Sequence, residues 1–329
     1  MIKKLENILF INTGGGIGDA LSSLALLNYI NEIFSIDNLF YYSTDMDKFW
    51  FENKLSEFKP KNLITIKNFP AGFGFEREHI KLSKNLINSF NFDKFDLIID
   101  NQTRLINSLV YKKIPHKSYI SPCINYFLSN PFFFTKKNKN VTLRIVNYLN
   151  KITKKNVNPN YKINISDQFM NTAKDIMIKD KGYIGFSITA GHPSRVKEFK
   201  IEEIIKLANH LGKSSIPTFF IEEKFDELKK LLKTEIKNAF FPEEFIPDSL
   251  KKPMIVTALG SLTEYNISID NGISHMLAFS QNKNYIFYND NSEKFMPINS
   301  NNKIYDCKSN NTKINLLKFE EILNFIKNN

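Results

Sequence analysis

Short apolar runs alternate with longer amphipathic stretches along almost the whole chain, and the alternation restarts halfway. In the first half, the runs at 7–12, 39–43, 63–66 and 95–99 read as strands. Helix-period stretches at 19–34, 78–90 and 104–113 lie between them. In the second half, strands are expected at 182–188, 217–221, 267–270 and 284–288, and helices at 201–211, 225–232 and 272–280. Strands that alternate with helices predict parallel sheets covered by helices on both faces, an α/β chain.

Between the halves, 136–160 carries many Lys and Asn residues around one amphipathic piece, 141–149. The domain junction is therefore expected near residue 165, giving domains of 1–165 and 166–329. A last helical stretch, 313–326, follows a polar segment and either returns to the first domain or packs where it leaves the second. No short-period repeat is present, which excludes solenoids and propellers. At roughly 150 residues per domain, the 329 residues fit two domains, each with its own core.

Composition narrows the class further. Hydrophobic residues at 42% and charged residues at 24% argue against wholesale disorder. Cys123 and Cys307 form no CxxC pair, so neither a disulfide framework nor a structural zinc site is expected, and a cytoplasmic home follows. No apolar run reaches the roughly 18–20 residues that span a bilayer, and the stretch at 8–11 is too short for a signal peptide. The net charge of +11 invites a polyanionic partner. Codon bias toward Lys, Asn, Ile and Phe explains part of that charge equally well. Charge therefore ranks partners suggested by other features, and nothing else points to nucleic acid.

Four polar clusters follow strands. The first, Thr13-Gly14-Gly15-Gly16-Ile17-Gly18-Asp19, is a glycine-rich turn opening a helix. It departs from the dinucleotide fingerprint because Asp19 stands where a third glycine belongs, and a carboxylate there repels a pyrophosphate. No Gly-Lys-Ser/Thr follows, so it is not a P-loop. A plain strand-to-helix turn, with Asp19 complementing the helix dipole, is the structural alternative.

The second cluster is Asp270-Asn271-Gly272-Ile273-Ser274-His275. Free amides at 272–274 beside hydroxyl and imidazole donors suit a diphosphate, and Asp270 suits sugar hydroxyls. An ordinary helix cap with a packed His275 is the alternative. The third runs from Thr189 through His192, Ser194 and Arg195 to Lys197 and Phe199, a loop whose cations can neutralise a departing phosphate or simply sit in solvent. The fourth is Asp100-Asn101-Gln102-Thr103-Arg104. Ligands of open α/β sheets bind at this edge of the strands.

In this order the clusters resemble the lipopolysaccharide heptosyltransferases, glycosyltransferase family 9, over most of the chain. The resemblance rests on Gly18-Asp19, on Asp96-Leu97-Ile98-Ile99-Asp100-Asn101-Gln102, on Lys197 with Phe199, and above all on the turn 270–275. Three departures concern the acceptor side and the phosphate loop. Ala25 stands where the family often has proline, the basic residue after the glutamine is shifted to Arg104 with Asn107 beyond it, and Arg195 rivals Lys197.

The resemblance implies a GT-B fold, two Rossmann-like domains facing each other across a cleft. It implies an inverting, metal-independent transfer of a sugar, heptose from ADP-heptose first, to a hydroxyl of a lipopolysaccharide or other surface glycan. Asp19 is then the base; Thr189, Lys197, Glu222 (or Glu223), Asp270, Asn271, Gly272, Ser274 and His275 hold the donor; Gly18, Gln102 and Arg104 meet the acceptor. No cofactor or metal is implied, and Asp45-Met46-Asp47 is a rival metal-binding DxD out of context. Aromatics and lysines at 126–137 suit peripheral contact with an anionic membrane at its inner face, core packing being the alternative. Another nucleotide sugar, a nucleotide-dependent oxidoreductase, and a non-catalytic sugar-nucleotide binder remain open as alternatives.

Overall fold

The computed structural model describes residues 3–43, 49–66, 81, 85, 88–134, 138–178, 182–190 and 197–329. The DxD at 45–47, His192, Ser194, Arg195, Lys136, Lys137 and most of the helix expected at 78–90 lie outside the described residues. Two compact units emerge, Met1–Asn160 and Tyr161–Asn329. Hydrogen bonding marks the same boundary. Asn160 is bonded to Ala25 and Asn28 of the first unit, whereas Tyr161 is bonded to Gln281 and Ile298 of the second.

The first unit runs β1 (Lys3–Ile11), α1 (Ile17–Ile33), β2 (Phe34–Tyr42), β3 (Leu63–Thr65), β4 (Phe95–Asp100), α2 (Leu105–Tyr111), β5 (His116–Ile120) and α3 (Leu143–Thr153). Its sheet is parallel, in the order β3-β2-β1-β4-β5. Ile8, Leu9, Phe10 and Ile11 at its centre are fully buried, so both faces of β1 are covered. The helix α1 is apolar nearly all round, with Leu21, Leu24, Leu27 and Ile30 at zero exposure, and passes straight into β2 at Phe34.

The second unit runs α4 (Asp167–Ile176), β6 (Tyr183–Ser187), α5 (Ile201–Leu211), β7 (Ile216–Phe219), α6 (Asp226–Glu235), α7 (Pro253–Gly260), β8 (Tyr265–Ile269), α8 (Gly272–Ala278), β9 (Lys283–Tyr288), β10 (Asn302–Asp306) and α9 (Phe319–Asn328). Its sheet is also parallel, ordered β10-β9-β8-β6-β7. One core joins Phe186, Ile267 and Phe287 of the sheet to Ile204 and Leu207 of α5, Leu232 of α6 and Ile322 of α9. The last helix therefore packs on α5 within the second unit.

Both strand orders are doubly wound, and each reverses direction once. In the first unit the reversal falls between β1 and β4; in the second, between β6 and β8. At such a point the connections leave to opposite faces and open a crevice beyond the carboxyl ends of the strands. The four polar clusters follow β1, β4, β6 and β8. Two flank each reversal.

Candidate functional site

In the first unit, Asn12 continues the ladder by donating its backbone N–H to Tyr42 at 2.9 Å. The chain then turns through Gly14–Gly16 into α1. Gly16 caps the helix, and the Asp19 carboxylate reaches back to accept the Gly16 N–H at 3.3 Å. A carboxylate in the first helical turn also complements the helix dipole. Gly14 is required for this fold-back: a Cβ there would stand 2.8 Å from the Asp19 Cβ. Asp19 itself is exposed and Gly18 half-buried.

The cluster after β4 is divided. Asp100 is fully buried and is internal scaffold. Its carboxylate accepts from the hydroxyls of Ser108 (2.6 Å), Tyr119 (2.7 Å) and Ser121 (3.0 Å) and from the Gln102 N–H (2.9 Å). Burial drives its pKa up, and those four donors offset only part of the rise. Asn101 is likewise taken, its carbonyl and side-chain oxygen both accepting from the Arg144 guanidinium. Gln102 is half-buried beside the β1–β4 crevice, and Arg104, exposed, stands at the start of α2. Asn107 is buried.

In the second unit the successive residues 197–199 point three ways. Phe199 is buried edge-on against Phe287, at 5.2 Å between ring centroids. Glu198 turns back to accept the Ala190 N–H at 3.0 Å. Lys197 makes a close ion pair with Asp270 beyond the end of β8. Asn271 then ties the two strand ends together, donating to the Ser187 hydroxyl (2.8 Å) and the Thr189 carbonyl (3.0 Å). Thr189 itself is buried.

The turn 270–275 is less open than the sequence implies. The Asn271 side chain accepts the Ser274 N–H at 2.8 Å, and the Ser274 hydroxyl donates to the Asn271 carbonyl at 2.8 Å. Ser274 is fully buried and His275 nearly so. Both residues are thus withdrawn from the surface, the Ser274 N–H and hydroxyl serving the helix start, while Gly272 stays half-buried at the turn. Glu222 follows the edge strand β7, exposed and paired with Lys224 at 2.9 Å.

Thr189, Lys197, Asp270 and Asn271 thus form one bonded group at the β6–β8 reversal. Ser187, Glu198 and Tyr288 complete its surroundings, and none of them stands out in the sequence. Tyr288 is fully buried, its hydroxyl without a hydrogen-bond partner among the described residues. Burial raises its pKa far above the usual tyrosine value, and the Asp270 charge adds to the rise. Among the described residues no three His, Cys, Asp or Glu side chains are grouped to hold a metal ion. No described helix is long and apolar enough to cross a membrane.

Two doubly wound, Rossmann-like units with sites at their strand reversals define the GT-B class of architecture. Solved structures agree over nearly the full chain. A glycosyltransferase family 9 protein from Veillonella parvula superposes with a TM-score of 0.69 at 14% identity, covering 99% of this chain and 97% of that one. The Escherichia coli heptosyltransferase WaaC with ADP-2-deoxy-2-fluoro heptose gives 0.66 at 15%, covering 98% and 99%. Escherichia coli ADP-heptose lipopolysaccharide heptosyltransferase II gives 0.65 at 14%, covering 98% and 97%. No family model and no curated protein sequence matches the chain. The chain has the fold of glycosyltransferase family 9 structures.

Proposed function

We propose that the chain is an inverting glycosyltransferase that moves a sugar from a nucleotide diphosphate donor to a hydroxyl of a lipopolysaccharide or other surface-glycan acceptor. ADP-heptose is the first donor to test, because structural neighbours carry ADP and an ADP-heptose analogue. The observation that carries the proposal is the Lys197–Asp270 pair beside Thr189 and Asn271 at the second reversal.

The chemistry divides between a base and a charge sink. The acceptor oxygen bonds to the anomeric carbon as that carbon's bond to the diphosphate oxygen breaks, and the acceptor proton passes to Asp19. The nucleoside diphosphate leaves with the bonding electrons. Lys197 neutralises the charge it gains, exchanging part of its contact with Asp270 for phosphate oxygens, so no metal is needed. Asp270 and Glu222 are then available to sugar and ribose hydroxyls, and Gly18, Gln102 and Arg104 to the acceptor.

Thermal-shift screening against ADP, UDP, GDP and NAD tests the class. Selective stabilisation by ADP is expected; a response to NAD without one to any nucleoside diphosphate would point to the oxidoreductase and overturn the proposal. With donor and a competent acceptor, Asp19→Ala should lose roughly 10²–10⁴-fold in turnover while keeping its ADP shift. Near-normal turnover would remove Asp19 as the base.

A further inference from the structure

Fourteen large hydrophobic side chains are exposed among the described residues, and eight of them fall between 105 and 134. Three (Leu105, Ile106 and Leu109) lie on α2; five (Ile124, Phe127, Phe132, Phe133 and Phe134) follow β5. The two groups adjoin, since the Cys123 thiol donates to the Thr103 carbonyl just before α2, and the Phe127 and Phe132 rings are 6.4 Å apart. Packing holds these side chains outward. Buried Tyr126 and Tyr148 stack beneath at 4.2 Å, and the Tyr148 hydroxyl ties down the backbone at Pro131 and Phe133. Phe127 and Phe134 remain 69% and 75% exposed.

Charge singles out the same region. From 101 to 166 the sequence carries twelve Lys and Arg residues and no Asp or Glu. The remaining 33 basic residues are balanced by all 34 acidic ones, so the whole net charge of +11 resides in this segment. A codon bias enriches lysine everywhere; it does not clear carboxylates from one stretch. Arg104 opens α2, Lys112 and Lys113 follow its end, and the Lys151 ammonium bonds the Phe134 carbonyl at 2.6 Å.

We propose that this face of the first unit, α2 with the segment 121–134, docks onto an anionic lipid bilayer, the phenylalanines entering the interface and the lysines meeting headgroup phosphates. An RNA partner fits less well: bases could stack on the phenylalanines, but Leu105, Ile106, Leu109 and Ile124, the other half of the patch, would stay against water. A second copy of the chain would oppose like charge to like. The proposal extends the transferase reading by naming where a lipid-anchored acceptor is met, and depends on it only for that acceptor.

Vesicle flotation without donor tests it. The protein should float with phosphatidylcholine vesicles containing phosphatidylglycerol, and not with phosphatidylcholine alone or at high salt. Phe127→Ser with Phe134→Ser should lower partitioning roughly tenfold or more. Lys113→Glu with Lys151→Glu should lower it at least roughly tenfold. Both variants alter exposed groups and should keep the wild-type melting temperature and ADP shift. Failure to float with anionic vesicles, variants that float like the wild type, or retention on poly(U) lost in the lysine variant without vesicle binding would each overturn the proposal. A protein that floats but shows no nucleotide response would instead sink the transferase reading alone.

Discussion

Gly14 and Asp19 act as a pair. No described glycine has a positive φ, so Gly14 is needed for space alone, the 2.8 Å that a Cβ would leave to the Asp19 side chain. Gly14→Ala should displace the carboxylate and cut turnover about 10- to 100-fold, since misplacing a reacting group by an ångström costs that much. Circular dichroism and ADP affinity should stay unchanged; undiminished turnover would show that the position of Asp19 does not matter. Lys197 acts differently. Lys197→Ala would strand the Asp270 carboxylate and remove the charge that meets the leaving diphosphate, lowering kcat roughly 10²–10³-fold in steady-state assays, with Lys197→Arg restoring part. At this scale the sequence reveals residue types and hides pairings. Asp270 and Lys197 each stand out, but 73 positions separate them, and only the adjacency of β6 and β8 brings them together. Ser274 and His275 stand out too, yet both are buried, and the Ser274 N–H and hydroxyl are spent on the helix start, which must first satisfy its own amides.

At the scale of elements, the buried strands are legible, as are the edge strands β3 and β7, whereas the edge strands β5 and β10 are not. The central runs announce β1, β4, β6, β8 and β9 to within a few residues, because strands covered on both faces are largely apolar. β5 (His-Lys-Ser-Tyr-Ile) and β10 (Asn-Lys-Ile-Tyr-Asp) sit at sheet edges, where polar residues are tolerated, and no apolar run marks them. Asp100 shows why an edge strand still holds: its carboxylate gathers Tyr119 of β5, Ser121 just after it, and Ser108 of α2 onto the end of β4. Tyr119→Phe should therefore cost about 1–3 kcal/mol in urea unfolding. The pH dependence has a definite sign. The folded chain holds the Asp100 proton more tightly than the unfolded chain, so this group stabilises most below the ordinary aspartate value and progressively less as pH rises through the interval up to its raised folded value. Between about pH 7 and about pH 4, the wild type should gain stability relative to Asp100→Asn. A difference that stays constant or moves the other way would mean that Asp100 is not held in the raised state.

For the whole molecule, the restart of the strand–helix pattern makes two domains legible, while the uneven distribution of charge emerges only when carboxylates are counted along the chain. The two units carry different parts of the proposed reaction. The first holds Asp19, Gln102 and Arg104; the second holds Thr189, Lys197, Asp270 and Asn271. Each buries its own core, Ile98 and Tyr119 in one and Phe186 and Ile267 in the other, so each can respond to ligand through its own hydrogen bonds. Binding to the native state stabilises by about 2.7 kcal/mol at a ligand concentration of a hundred times Kd, and amide exchange slows in the segments that ligand holds closed. With ADP alone, hydrogen exchange should therefore slow at Thr189–Ala190, at Lys197–Phe199 and across Asp270–His275. The turn at Gly14–Asp19 and the residues after Asp100 should exchange as in the free protein. Slowing confined to the first unit would assign the nucleotide to the glycine-rich turn, and with it the base and the charge sink would have to change places.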